Sequence, residues 1–586
     1  MHRYDRAPER SSGRERLTIT AIVLAFVAVL VVWASLQPMF GSPDEIAHWD
    51  AAVQLAMGHG WPDPAHLRLL SATRAAQAEG MGFLQTDRPT LEALLAAAPG
   101  NGSTNQMTQH PPTWYAMAAG VLHLIGYMQL RWDVDLFALR LMNVAILGTL
   151  PLVVWAAVRR LTRSPRTALV AAASLLLIPQ VGFIGASATN DTPVIILGAV
   201  VVWLVCRVLT GDRGVATLVG LALAASAAVA FKATALPLVP FAVIAVIVAG
   251  SGWSRWLRGA VVLVVPIVAT SWWWVRNVLV FHTLQPAGLP QSIQTKEFPP
   301  GQGPDLGGFV NTEWNRVTNS FWGQYGLLQY PSSPIVIATL SVVAIGVVLV
   351  WGFRRGSRRN AWLLAVLPLI ALVAGLQNNW STYLRTTTIG GIQGRYYFVL
   401  VGALAVLSAV AWRRFVRVEQ DRRRLGRTVV VVSALMTLYG WSVAYRGYYE
   451  EFHFRVTWNG VRTLTHLTPL GREGFALVVG IALVLLAVAV ALTLAALRSP
   501  VVVTAAPLAG DVERHDVHEH EREHQLERDD AVERADAVGR EDAVGREDAV
   551  VREDVAERRA PAGDPVSPRP SVPDSGEAQP DHRTFP

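Results

Sequence analysis

The chain is poor in cysteine: Cys206 is the only one among 586 residues. No intrachain disulfide can form, and a thiol inside an apolar run reads as inert packing rather than as a nucleophile. Charge is scarce as well. Asp, Glu, Lys and Arg make up 16% of the residues against 52% hydrophobic, and mean hydropathy is +0.33, which excludes an ordinary soluble globular protein. Nucleotide-binding signatures are missing, with no P-loop and no G-x-G-x-x-G behind a strand. A small-residue cleavage site is missing too after the first apolar run, "LTITAIVLAFVAVLVVWASL". That run therefore reads as a retained first transmembrane helix behind a basic N-terminus, residues 1–16, and not as a cleaved signal peptide.

What the chain has instead is apolar length. Stretches long enough to span, about 17–25 residues, fall near 17–36, 140–158, 167–186, 193–209, 214–231, 233–250, 259–277, 333–353, 361–376, 395–412, 428–446 and 474–497. They predict an all-α polytopic membrane domain over 17–498 with about twelve transmembrane helices. One further apolar stretch, "TWYAMAAGVLHLIGYMQL" at 113–130, is decided by charge. The basic loops 158–166, 251–259, 353–359 and 412–427 share a side with the basic N-terminus only if 113–130 does not cross. It is expected to lie in or dip into the interface within a long outer segment, 37–139. Further outer segments follow at 278–332, 377–394 and 447–473, and both termini are expected to be cytoplasmic. The net charge of +7 falls mainly in these short loops, where Lys and Arg set topology, so it is no argument for nucleic acid.

From about 500 onward the composition turns charged and Pro-rich, with the repeat "DAVGRE DAVGRE DAVVRE". A six-residue step turns about 240° round a helix and builds no single apolar face. Residues 499–586 are expected to be a disordered cytoplasmic tail. Its histidines, His515, His518, His520 and His524, stand among charges of both signs and read as solvated rather than as metal ligands.

The polar residues that interrupt the apolar runs converge on the outer side. Asp44 and Glu45 begin the first outer segment, and His110 lies within it. Asn190 and Asp191 cap the outer end of the third span, and Lys232 sits at the outer turn between two more. Arg276 and Asn277 end the seventh, and Arg395, followed by Tyr396, begins the tenth. Charge at membrane depth is costly and persists where it pairs, lines a cavity or binds something. With Pro43 in the first helical turn, Asp44 and His48 form an i, i+4 pair on one face while Glu45 projects about 100° away. Capping is the other reading: Asn190 and Asp191 suit a helix N-terminus, acids in a first turn complement the helix dipole, and Arg276 can snorkel.

The stretches "SPDEIAHWDAA", "HPPTWYAMAAG", "SATNDTPVIILGA", "FKATALPLVP", "WWWVRNVLVFHTLQP", "NSFWGQYG" and "QGRYYF" resemble, in this order, the bacterial membrane-protein family called domain of unknown function 2142. That family looks like a branch of the GT-C superfamily of glycosyltransferases, and the resemblance covers about residues 20–450. "PDEIAH" stands here where the family pattern leads one to expect "PDEPAH", a departure outside the charged positions. The resemblance implies a GT-C-like bundle in a bacterial plasma membrane. It also implies an acidic residue in the first outer loop as base or metal contact, Asp44 or Glu45, with Asp191 as a second acid.

The implied reaction moves a sugar from a polyprenyl-phosphate donor to a cell-envelope glycan or similar acceptor. Asp44 is the expected base. Lys232, Arg276 and Arg395 would meet the leaving phosphate, with His48, His110, Asn190, Asn277 and Tyr396 around them. No nucleotide is expected, and a divalent cation is left open. A transporter or flippase of lipid-linked glycans and a non-catalytic membrane scaffold are the rival readings.

Overall fold

A computed structural model describes residues 11–82, 85–289, 295–353 and 359–498; the expected tail and its histidines lie outside the described residues. The path is helical, set by the apolar runs. It begins with α1 (Gly13–Leu36), followed by a region of short elements, α2 (Glu45–Ala56), β1 (Arg68–Leu70), α3 (Ser71–Gly82), α4 (Leu91–Ala97), β2 (Asn101–Thr104) and α5 (Thr113–Ile125). Next come α6 (Trp132–Leu147), α7 (Leu150–Thr162), α8 (Pro165–Ala173), α9 (Pro179–Gly185), α10 (Asp191–Leu209), α11 (Val215–Phe231), α12 (Leu238–Ala249) and α13 (Ser254–Phe281). The last part holds α14 (Leu306–Trp322), β3 (Gln324–Tyr325), β4 (Tyr330–Pro331), α15 (Pro334–Phe353), α16 (Arg359–Thr386), α17 (Val401–Phe415), α18 (Glu419–Tyr449), α19 (Trp458–Leu467) and α20 (Gly471–Arg498). Both sheets are two-stranded and antiparallel.

Among the described residues eight helices are long and apolar enough to cross a membrane, or nine if Pro165–Leu177 and Pro179–Gly185, bent by 70° across the break between them, count as one span. Shorter apolar helices occupy 215–231, 233–249 and 334–349, so each of the twelve apolar stretches is helical while the count of crossings is smaller by this measure. The stretch at 113–130 contributes only the 13 residues of α5, about 20 Å of helix against a hydrocarbon core of about 30 Å. Two borders move. The span expected from 140 already begins at Trp132, and α16 runs on to Thr386, into the polar "QNNWSTYLRT" expected as loop.

Ion pairs show which helix ends meet. Glu15 near the start of α1 holds Arg159 at the end of α7 (3.0 Å), and Arg166 at the start of α8 holds Glu419 at the start of α18 (2.9 Å). Arg207 and Asp212, at the end of α10, pair at 2.7 Å. The other end of the bundle gathers the end of α1, the starts of α2 and α10 and the end of α11. There Asp50 organises the region between α1 and α6 without a cation. Its buried carboxylate accepts from Leu70 N (2.9 Å), Thr73 Oγ1 (2.6 Å), Gln54 Nε2 (2.7 Å) and Asn105 Nδ2 (2.8 Å), which pins α2 to β1, α3 and the turn before α5.

Because Cys206 is buried, single cysteines can be introduced without removing it. Exposed Asn101 and Ser251 lie at opposite ends of the bundle. Asn101→Cys is expected to react with an impermeant maleimide on intact cells and Ser251→Cys only after permeabilisation. Labelling of both from one side would overturn this arrangement.

Candidate functional site

The site begins with one arginine. Arg140, wholly buried in α6, uses all five of its N–H donors. Nε and Nη2 grip the two oxygens of Glu45 at 2.8 and 2.7 Å, Nη1 donates to the carbonyls of Ala34 (2.7 Å) and Gln37 (2.9 Å), and Nη2 to that of Pro38 (2.7 Å). The carbonyls of Ala34 and Gln37 are ones that the end of α1 would otherwise leave without partners, while that of Pro38 also accepts from Gly41 N at 3.0 Å. Glu45 Oε1 also accepts from Ala188 N at 3.0 Å, and Gln37 Nε2 donates to Ala186 O at 3.0 Å. The end of α1, the start of α2 and the turn before α10 are thus tied at one point. Glu45 is consumed in that tie and is inaccessible, so the candidate role given to it beside Asp44 is corrected to a structural one.

The helix phase expected for Asp44 is corrected too. Helix α2 starts at Glu45, and Asp44 is the residue before it, in the left-handed region with φ 62° and ψ 2°. That conformation is uncommon for residues with a Cβ, although Asp and Asn tolerate it best. It turns the Asp44 carboxylate away from Glu45 and onto Arg395. Gln106 Nε2 donates to the other oxygen at 3.3 Å, and the segment after α13 packs on Gln106 so closely that a Cβ on Gly288 would lie 2.6 Å from its carbonyl oxygen.

Asp191, in the first turn of α10, is held by Lys232 Nζ at 2.6 Å and by Arg395 Nη1 at 3.7 Å. Arg395 is therefore shared between the two carboxylates. Both cations lie over the ring of Tyr396, Lys232 at 5.7 Å and Arg395 at 5.5 Å from its centre, an arrangement that disperses positive charge in a poorly solvated place. Lys232, Asp191 and Arg395 are each about 95% or more buried, whereas the Asp44 side chain is 33% exposed, making it the member a second molecule can reach. The salt bridge to Arg395 holds Asp44 below the usual carboxylate range against the opposing effect of burial.

His48 Nδ1 meets the Tyr115 hydroxyl at 2.9 Å, and Tyr115, His48 and Trp114 stack and abut. Burial, then the charge of Lys232, pushes the His48 pKa down to about 3; the same causes lower that of His110. Two neutral imidazoles thus border the ion cluster. His110 Nδ1, Arg395 Nε and both side-chain polar atoms of Asn190 are buried with no hydrogen-bond partner in the protein. Asn190 stands at the N-cap of α10 but makes no side-chain cap bond.

The sequence-predicted residues Asp44, Asp191, Lys232, Arg395, Tyr396, His48, His110 and Asn190 come together at this end of the bundle. Arg276 and Asn277 do not join them. Arg276 pairs with Asp63 at the surface, and Asn277 Nδ2 donates to Leu284 O at 3.1 Å. Sequence reasoning missed Arg140, Tyr115 and Gln106. Arg140 carried a signal, a lone arginine in "LFALRLMNVAIL", and Tyr115 lies inside a quoted stretch. The donor set does not suit a divalent cation: both carboxylates are taken by Arg395 and Lys232, and no group of three His, Cys, Asp or Glu is placed to hold a metal among the described residues.

Glu45→Gln leaves a buried guanidinium short of its counter-charge and is expected to cost about 3–5 kcal/mol, read as earlier heat-induced reaction of Cys206 with a thiol-reactive dye. A second expectation concerns acid. His48 has a folded-state pKa below its ordinary 6.5, so the unfolded chain takes up the proton first; this stability is complete above pH 6.5 and is lost as pH falls toward 3. At pH 5 the loss is about 2 kcal/mol. The melting temperature should fall further between pH 7.5 and 5 in the wild type than in His48→Gln, and equal falls would remove His48 as the cause.

No curated protein matches this chain. Among solved structures it is similar to ArnT from Cupriavidus metallidurans bound to undecaprenyl phosphate, at 15% identity and a TM-score of 0.42, over 83% of this chain and 77% of that one. It is also similar to the Archaeoglobus fulgidus oligosaccharyltransferase in complex with Zn and sulfate, at 11% identity and a TM-score of 0.37, over 72% of this chain and 52% of that one. The family described as Predicted membrane protein (DUF2142) matches residues 26–404, well over half of the 586 residues and all of the ion cluster, and the chain belongs to that family.

Proposed function

We propose that the protein is an integral membrane glycosyltransferase of GT-C type, which moves a sugar from a polyprenyl-phosphate donor to a cell-envelope glycan or similar hydroxyl acceptor. It would act at the outer face of a bacterial plasma membrane, with both termini cytoplasmic. The observation that carries this reading is the arginine shared by two carboxylates, Asp44 and Asp191, with Lys232 completing a charge-balanced set in which Asp44 alone is part-exposed.

A phosphate brought to this place competes with the carboxylates for Arg395 and Lys232, and a planar guanidinium is well shaped for two phosphate oxygens. As Arg395 turns to the phosphate, Asp44 loses the cation that depresses its pKa and becomes a better base. Its carboxylate then takes the proton of the acceptor hydroxyl while that oxygen forms its bond to the anomeric carbon. The bond between that carbon and the phosphate oxygen breaks, and the electron pair leaves with the phosphate, whose charge Arg395 and Lys232 stabilise. A single displacement inverts the anomeric configuration. Asp191 keeps Lys232 positioned, and neutral His48 and His110 offer hydrogen bonds without adding charge.

One observation favours transport of a lipid-linked glycan instead: the 70° break between Leu177 and Pro179, since discontinuous helices are a common device in transporters. The experiment separates the two. Purified protein in liposomes is given tritiated hexosyl and pentosyl undecaprenyl phosphates with a mixed envelope-glycan acceptor. Asp44→Asn, which keeps the left-handed turn but removes one counter-charge from Arg395, is expected to lower the melting temperature somewhat and transfer about 100-fold or more, compared on protein shown to be folded. Undiminished transfer would remove Asp44 from the reaction, and movement of the lipid between leaflets without any transfer would replace the enzyme by a transporter.

A further inference from the structure

Between the ends of α18 and α20 the chain makes a turn that the proposed reaction does not use. Glu450 is buried at its base. Its carboxylate accepts from Tyr445 Oη (2.8 Å), Thr457 N (2.6 Å), Thr457 Oγ1 (3.0 Å) and Arg455 Nε (3.2 Å). Two consecutive non-glycine residues, Glu451 and Phe452, are held in the left-handed region with φ 53° and 64°. Strain of this kind persists only where the surroundings enforce it, and it gathers at functional places.

The strained base pushes apolar side chains outward. Phe454 is 90% exposed, Val456 74% and Trp458 70%, at alternate positions of "FRVTW". Cations stand on the rings: Arg446 lies over Phe454 at 4.9 Å and Arg472 over Trp458 at 5.6 Å. Arg446 belongs to the last turn of α18 and Arg472 to the first turn of α20, two helices long and apolar enough to cross the membrane. The tips therefore stand where a bilayer changes from acyl chain to headgroup, the depth at which aromatic rings are most at home. Arginines at that depth attract anionic lipid phosphates.

We infer that the Glu450–Trp458 turn is a lipid-reading anchor: Phe454, Val456 and Trp458 seat in the headgroup boundary, and Arg446 and Arg472 pair there with the phosphates of anionic lipids. The turn is tied to the site end, because Tyr448 and Tyr449 just before it donate to the carbonyls of Gly41 and Leu36, each at 2.8 Å.

The test places a bimane fluorophore on Phe454→Cys, with Cys206 buried and unreactive, in nanodiscs carrying either 5-doxyl phosphatidylglycerol or 5-doxyl phosphatidylcholine at equal mole fraction. Both lipids are expected to quench, the anionic one about twofold more strongly, and the excess should vanish in Arg446→Gln/Arg472→Gln. Equal quenching by the two lipids in the otherwise unaltered protein overturns the anionic reading. Absence of quenching overturns the anchor itself, and if particle mass then shows a dimer, the apolar tips belong to a second copy of the chain.

Discussion

One guanidinium in a place without water governs this end of the molecule. A buried charge short of partners costs several kcal/mol, and Arg140 avoids that cost by saturating all five donors on Glu45 and three carbonyls around the end of α1. The arrangement has no slack. A shift of one residue in the turn from Gln37 to Glu45 would leave a donor or a carbonyl unpaired in the interior, so the register of that turn is fixed. Asp44 lies one residue before Glu45, and Asp191 three residues after Ala188, whose N–H completes the tie. Both carboxylates of the candidate site are therefore positioned by an ion pair that takes no part in it.

The second constraint is charge balance. Asp44 and Asp191 offset Arg395 and Lys232, and the neighbouring imidazoles stay neutral, so the cluster carries no net charge in its resting form. Such a set is at low energy only while every partner is present. Under the proposed function an incoming anion would not need to create a binding site; it would exchange partners inside one, and the exchange itself would alter the basicity of Asp44. In the proposed reaction this links phosphate binding to proton removal without any large movement of the bundle.

Much of the fold was readable from the chain because apolar length and the placement of basic loops act through the bilayer, which imposes the same rule on every segment. The family pattern, too, lay in contiguous stretches. What periodicity could not give was the helix phase at residues 43–45: it assumed a helix running on from Pro43, whereas the left-handed residue at Asp44 resets the phase and sends Glu45 to Arg140. The fates of Arg276 and Asn277 were equally hidden. Their partners, Asp63 and the carbonyl of Leu284, are decided by how loops fold back over the helix ends, and loops carry no period. Asp50 shows the opposite case, a lone carboxylate in "IAHWDAAVQLA" with one neutral donor, Gln54, on its own helix and three, from Leu70, Thr73 and Asn105, in segments that a linear reading treats as unrelated.

The left-handed turn at Asp44 also has an evolutionary consequence. Only a few residue types hold that backbone without appreciable strain, chiefly Gly, Asn and Asp, and both alternatives lie one nucleotide substitution from an aspartate codon. If Asp44 takes the proton as proposed, a descendant that gave up that step could therefore keep the backbone turn by carrying Asn or Gly at position 44, at the cost of one counter-charge of Arg395. Loss of the proposed chemistry would leave its trace as a single conservative-looking letter in "SPDEIAH".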